Sequence, residues 1–304
     1  MSVPSSTEAN RKRIWACVYR ELVRHAIPDS RFNLDFLSFA PDFRGSAAAV
    51  NRVVKQSCYK DARTVLITCD NSLEGLRYQA LKDGKKVIVG TYRLRRGFVL
   101  LDPSRIDGED LRLAACLDGM EKPGIGRAVS LMQLRDEGMH IDMCITGGLV
   151  FNQDGVVLHE GQALFEVQWA LLQDIKILEN TAPVIAVVHS CQVVDEVSMG
   201  LEKTSPNKPG EVQCDLVITP DTVFEIEAAV KSASGIDFDI VDAEALNNIQ
   251  PLQELKGIRS MEQIMAKGGF GQEKIEDEEK PKAPTAEEQM GIDIIEKLMK
   301  GYKA

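Results

Sequence analysis

The residues best placed to do chemistry lie in the run VLHEGQALFE, from Val157 to Glu166. A glycine such as Gly161 lets the backbone approach a ligand closely, and a loop that opens a helix presents free N–H groups to a phosphate. Glu166, at the start of the following helix, offers a carboxylate oxygen to a hard cation such as Mg2+. The competing structural reading is a turn followed by a packed helix, with Leu164, Val167, Leu171 and Leu172 in the core. A second set, Arg11, Lys12 and Arg13, stands at the start of a helix. Cations there oppose the helix dipole, so either solvent or a bound polyphosphate must favour them. A third set is RLRRGF, Arg93 to Phe98, which follows the apolar run KKVIVG directly. Ligands of open α/β sheets bind at the carboxyl ends of strands, which makes Arg95 a candidate anion contact.

Other reactive side chains form no complete constellation. His189 and Cys191 are two apart after an apolar strand, where a nucleophile and its base could stand, but no third group orients them. Asp215 and Asp221 flank CDLVITPD, with Asp221 at the end of a strand stopped by Pro220, in a turn or facing a ligand. The histidines, His25, His140, His159 and His189, lack zinc-ligand spacing. No residue is assigned as a catalytic nucleophile.

The elements that must hold these groups alternate. Ile14, Trp15, Val18, Leu22 and Ala26 recur at helical spacing before Pro28. A helix through Ala47–Ala49 and Val50 follows, then the strand TVLITCD from Thr64 to Asp70. Asn71 and Glu74 are spaced as a capping box for a helix that stops at Gly84. KKVIVG, IDMCITGGLVF, PVIAVVHS and CDLVITP read as further strands, and GQALFEVQWALLQDI as a helix. Strands alternating with helices predict an α/β fold: three layers, with a mostly parallel open sheet covered by helices on both faces. The domain spans residues 1–258, followed by a flexible charged linker over 259–284 and a terminal helix over 285–304 capped by Thr285 and Glu288.

Composition narrows the partners. The chain has 304 residues, 44% hydrophobic and 27% charged, enough to build a substantial core. A net charge of −10 disfavours DNA and RNA, and no aromatic RNA-recognition motif is present. Part of that charge lies in KIEDEEK near the end, and this acidic tail is a candidate docking segment for a protein partner. The seven cysteines form no CxxC pair, which suits free thiols in a reducing compartment. There is no apolar leader and no apolar run of membrane-spanning length, so the expectation is a cytoplasmic protein that does not enter a membrane.

Several segments occur in the order found in one family. APDFRGSAAA, LRYQALKDGKKVIV, YRLRRGFVLLDP, IDMCITGGLVF, APVIAVVHSCQVVD, CDLVITPDTVF and GIDFDIVDAEALNNIQPLQEL resemble the 5-formyltetrahydrofolate cyclo-ligase family. The likeness is greater to its divergent methenyltetrahydrofolate synthetase domain-containing branch. This resemblance implies ATP- and Mg2+-dependent closure of 5-formyl- to 5,10-methenyltetrahydrofolate, or a related reaction on another amide-bearing small molecule. It also implies that Arg11, Lys12, Arg13, Gly161 and Arg95 contact the nucleotide and that Glu166 holds the metal. The family's glycine-rich ATP loop begins with an arginine and ends in an aspartate. Here Val157 stands in place of that arginine, His159 and Ala163 replace glycines, and Glu166 stands in for the aspartate. The alternative is a catalytically inactive member that acts by binding or interaction.

Overall fold

The computed structural model describes residues 6–205 and 210–266. The expected linker over 259–284 differs at its start, where residues 259–266 continue a helix, Gln250–Ala266; the rest of it and the terminal helix with its Thr285–Glu288 box lie outside the described residues. The chain divides into two compact units, Met1–Ser260 and Met261–Ala304, and the sheets belong to the first.

In chain order the elements begin with α1 (Ser6–His25), α2 (Ser46–Val53), α3 (Ser57–Asp61), β1 (Thr64–Ile67), α4 (Glu74–Lys82), β2 (Lys86–Gly90) and β3 (Phe98–Leu101). They continue with α5 (Leu111–Ala115), β4 (Arg127–Val129), α6 (Leu131–Asp136), β5 (Met143–Thr146), β6 (Val150–Asn152), β7 (Val157–His159) and α7 (Phe165–Asp174). The last are β8 (Val184–Val187), β9 (Val193–Val194), β10 (Leu216–Ile218), β11 (Val223–Glu225), α8 (Ala243–Asn248) and α9 (Gln250–Ala266).

Eight strands form one sheet in the order β11-β10-β8-β5-β1-β2-β3-β4. The five from β10 to β2 run parallel, and β11, β3 and β4 are antiparallel edges. Every residue of β1, β5 and β8 is buried. Such continuous apolar runs are what strands covered on both faces require. Alternation then sorts their side chains into two cores. Val65, Ile67, Val87, Val89, Ile145 and Val187 join Val53, Leu76 and Ala114 from α2, α4 and α5. Leu66, Ile88, Cys144, Val184 and Ala186 join Leu134, Trp169, Leu172 and Leu255 from α6, α7 and α9. The three layers are therefore as expected.

A smaller sheet, β7-β6-β9, lies outside the main one. Its apolar residues Val150, Leu158 and Val194 share a third cluster with Ile14, Val18 and Leu22 of α1 and with Phe36 and Phe39. This cluster seats the N-terminal helix against the β6–β7 hairpin.

The Asn71–Glu74 capping box does not form. A 3-10 turn over Asn71–Leu73 leads into α4, whose N-cap Leu73 gives no side-chain bond. The Asn71 amide donates instead to Asp29 Oδ2 at 2.6 Å. That carboxylate is also paired with Arg31, which ties the segment after α1 to the end of β1. A capping box does occur at α6. There Ser130 Oγ accepts from Gln133 N, and Gln133 Oε1 accepts from Ser130 N.

Arg77 of α4 is fully buried and donates only to backbone: to Thr68 O at 2.7 Å, Asp70 O at 3.0 Å and Ala115 O at 2.8 Å. Removing the guanidinium leaves three enclosed carbonyls short of a donor. Arg77→Leu is expected to cost about 3 kcal/mol or more, and Ser130→Ala about 1 kcal/mol, read from denaturant midpoints. An Arg77→Leu loss no larger than that of Ser130→Ala would show that these carbonyls find other partners.

Candidate functional site at the carboxyl edge

Because β1, β2, β5, β8 and β10 are parallel, their carboxyl ends share one edge, where α/β proteins bind ligands. Asp70, just past β1, is buried there. Its Oδ2 accepts from Thr68 Oγ1 at 2.5 Å and from the Gly147 N–H at 3.1 Å. Burial raises its pKa, opposed by those hydrogen bonds and by Arg77. Position 147 has to be glycine, since a Cβ would lie 2.8 Å from Asp70 Cβ.

From Gly147 the chain enters the β6–β7 hairpin and then the loop His159–Leu164. Gly161 has φ +95°, a conformation suited to glycine. Leu164, with φ 55°, turns the chain into α7. The Glu160 carboxylate folds over that turn and accepts the Phe165 N–H. The first turn of α7 is thus capped by a side chain of the chain itself. Burial, with Glu166 and Asp70 nearby, pushes the Glu160 pKa up to about 8. Gln162 Nε2 donates to Leu37 O at 2.7 Å and pins the loop to the segment after α1. Phe32, Phe39, Tyr92, Asp70 and Gln162 enclose a cavity of only ≈ 10 Å³ beneath it.

The structure divides the expected site residues among several places. Arg11 and Lys12 line a cavity of ≈ 250 Å³ between α1 and the hairpin, together with Trp15, Leu158 and His159. The His159 ring meets the Trp15 ring edge-on at 5.1 Å. Burial and Arg11 lower its pKa, so neutral imidazole is the favoured form. Arg13 is exposed and is not part of that lining. Gly161 lies two residues beyond His159. Glu166 stands in the first turn of α7, with its Oε1 3.4 Å from the Val212 N–H it accepts. Among the described residues no three histidine, cysteine or carboxylate side chains converge to hold a metal ion. Arg95 lines another cavity, with Arg93, Gln162 and α8.

The weaker candidates take structural roles. His189 Nδ1 lies 3.1 Å from Cys191 Sγ, yet the thiol pKa is pushed up to about 11, chiefly by burial. A thiol in that state is no ready nucleophile. The His189 ring stacks on His25 at 4.1 Å. Asp221 Oδ2 accepts from Ser190 Oγ at 2.6 Å, joining the loops after β8 and β10. Asp215 accepts the Val184 N–H and pairs with Lys231.

Asp70 and Glu160 were not among the residues singled out from sequence. A carboxylate directly after the buried strand TVLITC was the signal for Asp70. For Glu160 it was an acidic residue beside the one loop glycine.

The 5-formyltetrahydrofolate cyclo-ligase family matches residues 20–220, two thirds of the chain. The protein belongs to this family. Similar relatives include the methenyltetrahydrofolate synthase domain-containing proteins of Danio rerio and Mus musculus. The first is 27% identical over 229 residues, covering 75% of this chain and 56% of the relative. The second is 26% identical over 253 residues, covering 83% and 63%. The chain thus spans about three fifths of the length of these relatives. Among solved structures it is similar to the 5,10-methenyltetrahydrofolate synthetases of Aquifex aeolicus and Mycoplasma pneumoniae. The first has TM-score 0.41 and 14% identity, covering 74% of this chain and 95% of that one. The second has TM-score 0.38 and 13% identity, covering 71% and 99%.

For this family member the capping carboxyl gives a pH test. Glu160 has a folded-state pKa raised from 4.5 to about 8, so folding favours its protonated form. Its contribution to stability is full below the unfolded value and is lost as pH rises through the folded one. Glu160→Gln keeps an acceptor for Phe165 and removes the charge. Its thermal midpoint relative to wild type should therefore rise between about pH 5 and about pH 9. A difference that stays constant across that range would mean that Glu160 ionises normally.

Proposed function

We propose that this protein is an ATP-dependent, cyclo-ligase-like enzyme of the cytoplasm, acting on a folate or another small molecule with a formyl-amide group. The observation that carries the proposal is the cavity of ≈ 250 Å³ in which Arg11 and Lys12 of α1 stand beside His159 of the hairpin. The structure starts α1 at Ser6, so Arg11 and Lys12 lie in its second turn, past the reach of the helix dipole, and what they bring to the cavity is two exposed cations of the kind that pair with a polyphosphate.

The chain's groups fit ATP in part. Arg11 and Lys12 suit a polyphosphate in charge and placement. The N-terminus of α7 does not, because Glu160 already accepts the Phe165 N–H there. When bound, ATP supplies the phosphoryl group that makes a formyl oxygen able to leave. The chain's own task is then positioning and charge neutralisation rather than nucleophilic attack. Glu166 is the one carboxylate we assign to Mg2+, whose other ligands would be phosphate and water oxygens, as is usual for this ion. A folate-sized substrate at the carboxyl edge requires the Gln162–Leu37 contact to open, since the cavity beneath it is nearly closed.

A second reading is a family member that keeps the fold for binding or interaction and has lost the chemistry. It is favoured by the internal carboxylate on α7 and by Val157, which packs into the core where the family's loop carries an arginine.

Calorimetric titration with a non-hydrolysable Mg2+-ATP analogue, with and without 5-formyltetrahydrofolate, separates the two. Nucleotide affinity strengthened by the folate supports the cyclo-ligase reading. The variant lacking both cations, Arg11→Ala with Lys12→Ala, should then bind nucleotide about tenfold more weakly or worse, while Arg13→Ala should not. Absence of nucleotide binding by the wild-type chain would establish the second reading.

A further inference from the structure

A pocket of ≈ 300 Å³ lies where the β2–β3 turn, the loop before α7 and the segment leading through α8 meet. Its lining shares no residue with the Arg11–Lys12 cavity. Arg93 and Arg95 come from the turn, Gln162 from the loop, and Asp242, Glu244 and Asn248 from the α8 segment.

Four observations show a built site. Arg93 Nε is enclosed and has no hydrogen-bond acceptor among the described residues. An enclosed, unpaired donor is rare and calls for an explanation. Arg93 also holds φ 56°, ψ 23°, and Leu164 at the opposite rim holds φ 55°. Two non-glycine residues in the left-handed region around one pocket represent backbone strain of the sort that gathers at ligand sites. Arg96 of the same turn is already committed to a two-pronged pair with Glu121, at 2.6 and 2.5 Å. Among the described residues Arg95 has no such partner, and no ion pair joins either Arg93 or Arg95 to Asp242 or Glu244.

Opposite charges that line one pocket without touching leave room for a ligand carrying both signs. Asp242 is tied down as the cap of α8, accepting the Ala245 N–H at 2.6 Å. The remaining poles are two guanidinium groups and the Glu244 carboxylate, with the amides of Gln162 and Asn248 beside them. With Asp242 oriented by the cap, the two guanidinium groups suit two carboxylates and Glu244 suits an ammonium.

We propose that this pocket binds an acidic α-amino acid, with Arg93 and Arg95 receiving its carboxylates and Glu244 its ammonium group. The site is independent of the nucleotide reading above, so it is tested on the full chain without nucleotide.

L-glutamate and glutarate, which lacks the ammonium group, are the probes, followed by calorimetry or by ligand-observed NMR at millimolar concentration. The variants are Arg95→Gln and Glu244→Gln. Both side chains are exposed, so thermal midpoints should match wild type. L-glutamate should bind saturably and more tightly than glutarate. Arg95→Gln should weaken both probes about tenfold, and Glu244→Gln should weaken L-glutamate alone by a similar factor. Equal binding of the two probes, unaltered by Glu244→Gln, would reduce the pocket to a plain anion site and overturn the proposal. So would the absence of saturable L-glutamate binding.

Discussion

The Arg77 guanidinium, enclosed on every side, sets the geometry of the carboxyl edge. With no water to solvate it, its N–H groups must find protein acceptors, and they find three carbonyls. Two of these, on Thr68 and Asp70, belong to the turn between β1 and α4. That turn cannot shift without leaving a cation unpaired. Asp70 is thereby held where it meets the Gly147 N–H, and the end of β1 is locked to the end of β5. The direction in which the chain leaves β5 for the β6–β7 hairpin follows from this contact. Gly147 is required by it, because any side chain there would strike Asp70.

From that anchor the edge divides into two sides of different character. On one side the hairpin packs its apolar face on α1, through Leu158, Val150, Ile14 and Val18, and so brings Arg11 and Lys12 beside His159. On the other, the loop after the hairpin crosses toward the β2–β3 turn and meets Arg93 and Arg95. Gln162 lies between them, bonded to Leu37 and lining both the closed central cavity and the outer pocket. The basic clusters therefore serve separate cavities, although they stand on the same edge of one sheet.

The parallel core was readable because its strands are continuous apolar runs. TVLI, KVIVG, MCIT and VIAV announce burial on both faces without reference to tertiary contacts. The antiparallel edges were harder. β4 is three residues, RAV, with an arginine at its start, and β3 follows a basic turn that drew attention to its charges rather than to the strand behind it. The Asn71–Glu74 box misled because local spacing says nothing of a competing partner. Asp29, 42 residues away, takes the Asn71 amide. Arg77 was unreadable for a related reason. An arginine on a helix is ordinarily solvated, and only the arrangement of three distant carbonyls makes burial tolerable. Within the site, the union of Arg11 and Lys12 with the loop depends on the cluster that seats α1, which no single segment displays.

The same locality explains why Glu160 decides how the glycine loop is to be understood. A helix N-terminus attracts whatever acceptor lies nearest, and a carboxyl five residues ahead of Phe165 reaches it at far smaller entropic cost than a free ligand. Once Glu160 accepts the Phe165 N–H, a phosphate seeking the same donor must displace that carboxyl and bring its own negative charge close to Glu166 and Asp70. Glu166 and Asp70 already raise the cost of ionising Glu160, so the neighbourhood tolerates added negative charge poorly. Val157 points the same way, since it packs into the core and brings no cation to the loop. An anion approaching this edge therefore gains more from the arginines and the lysine at its two sides than from the loop at its centre. On the function proposed above, the chemistry would be organised from those flanks.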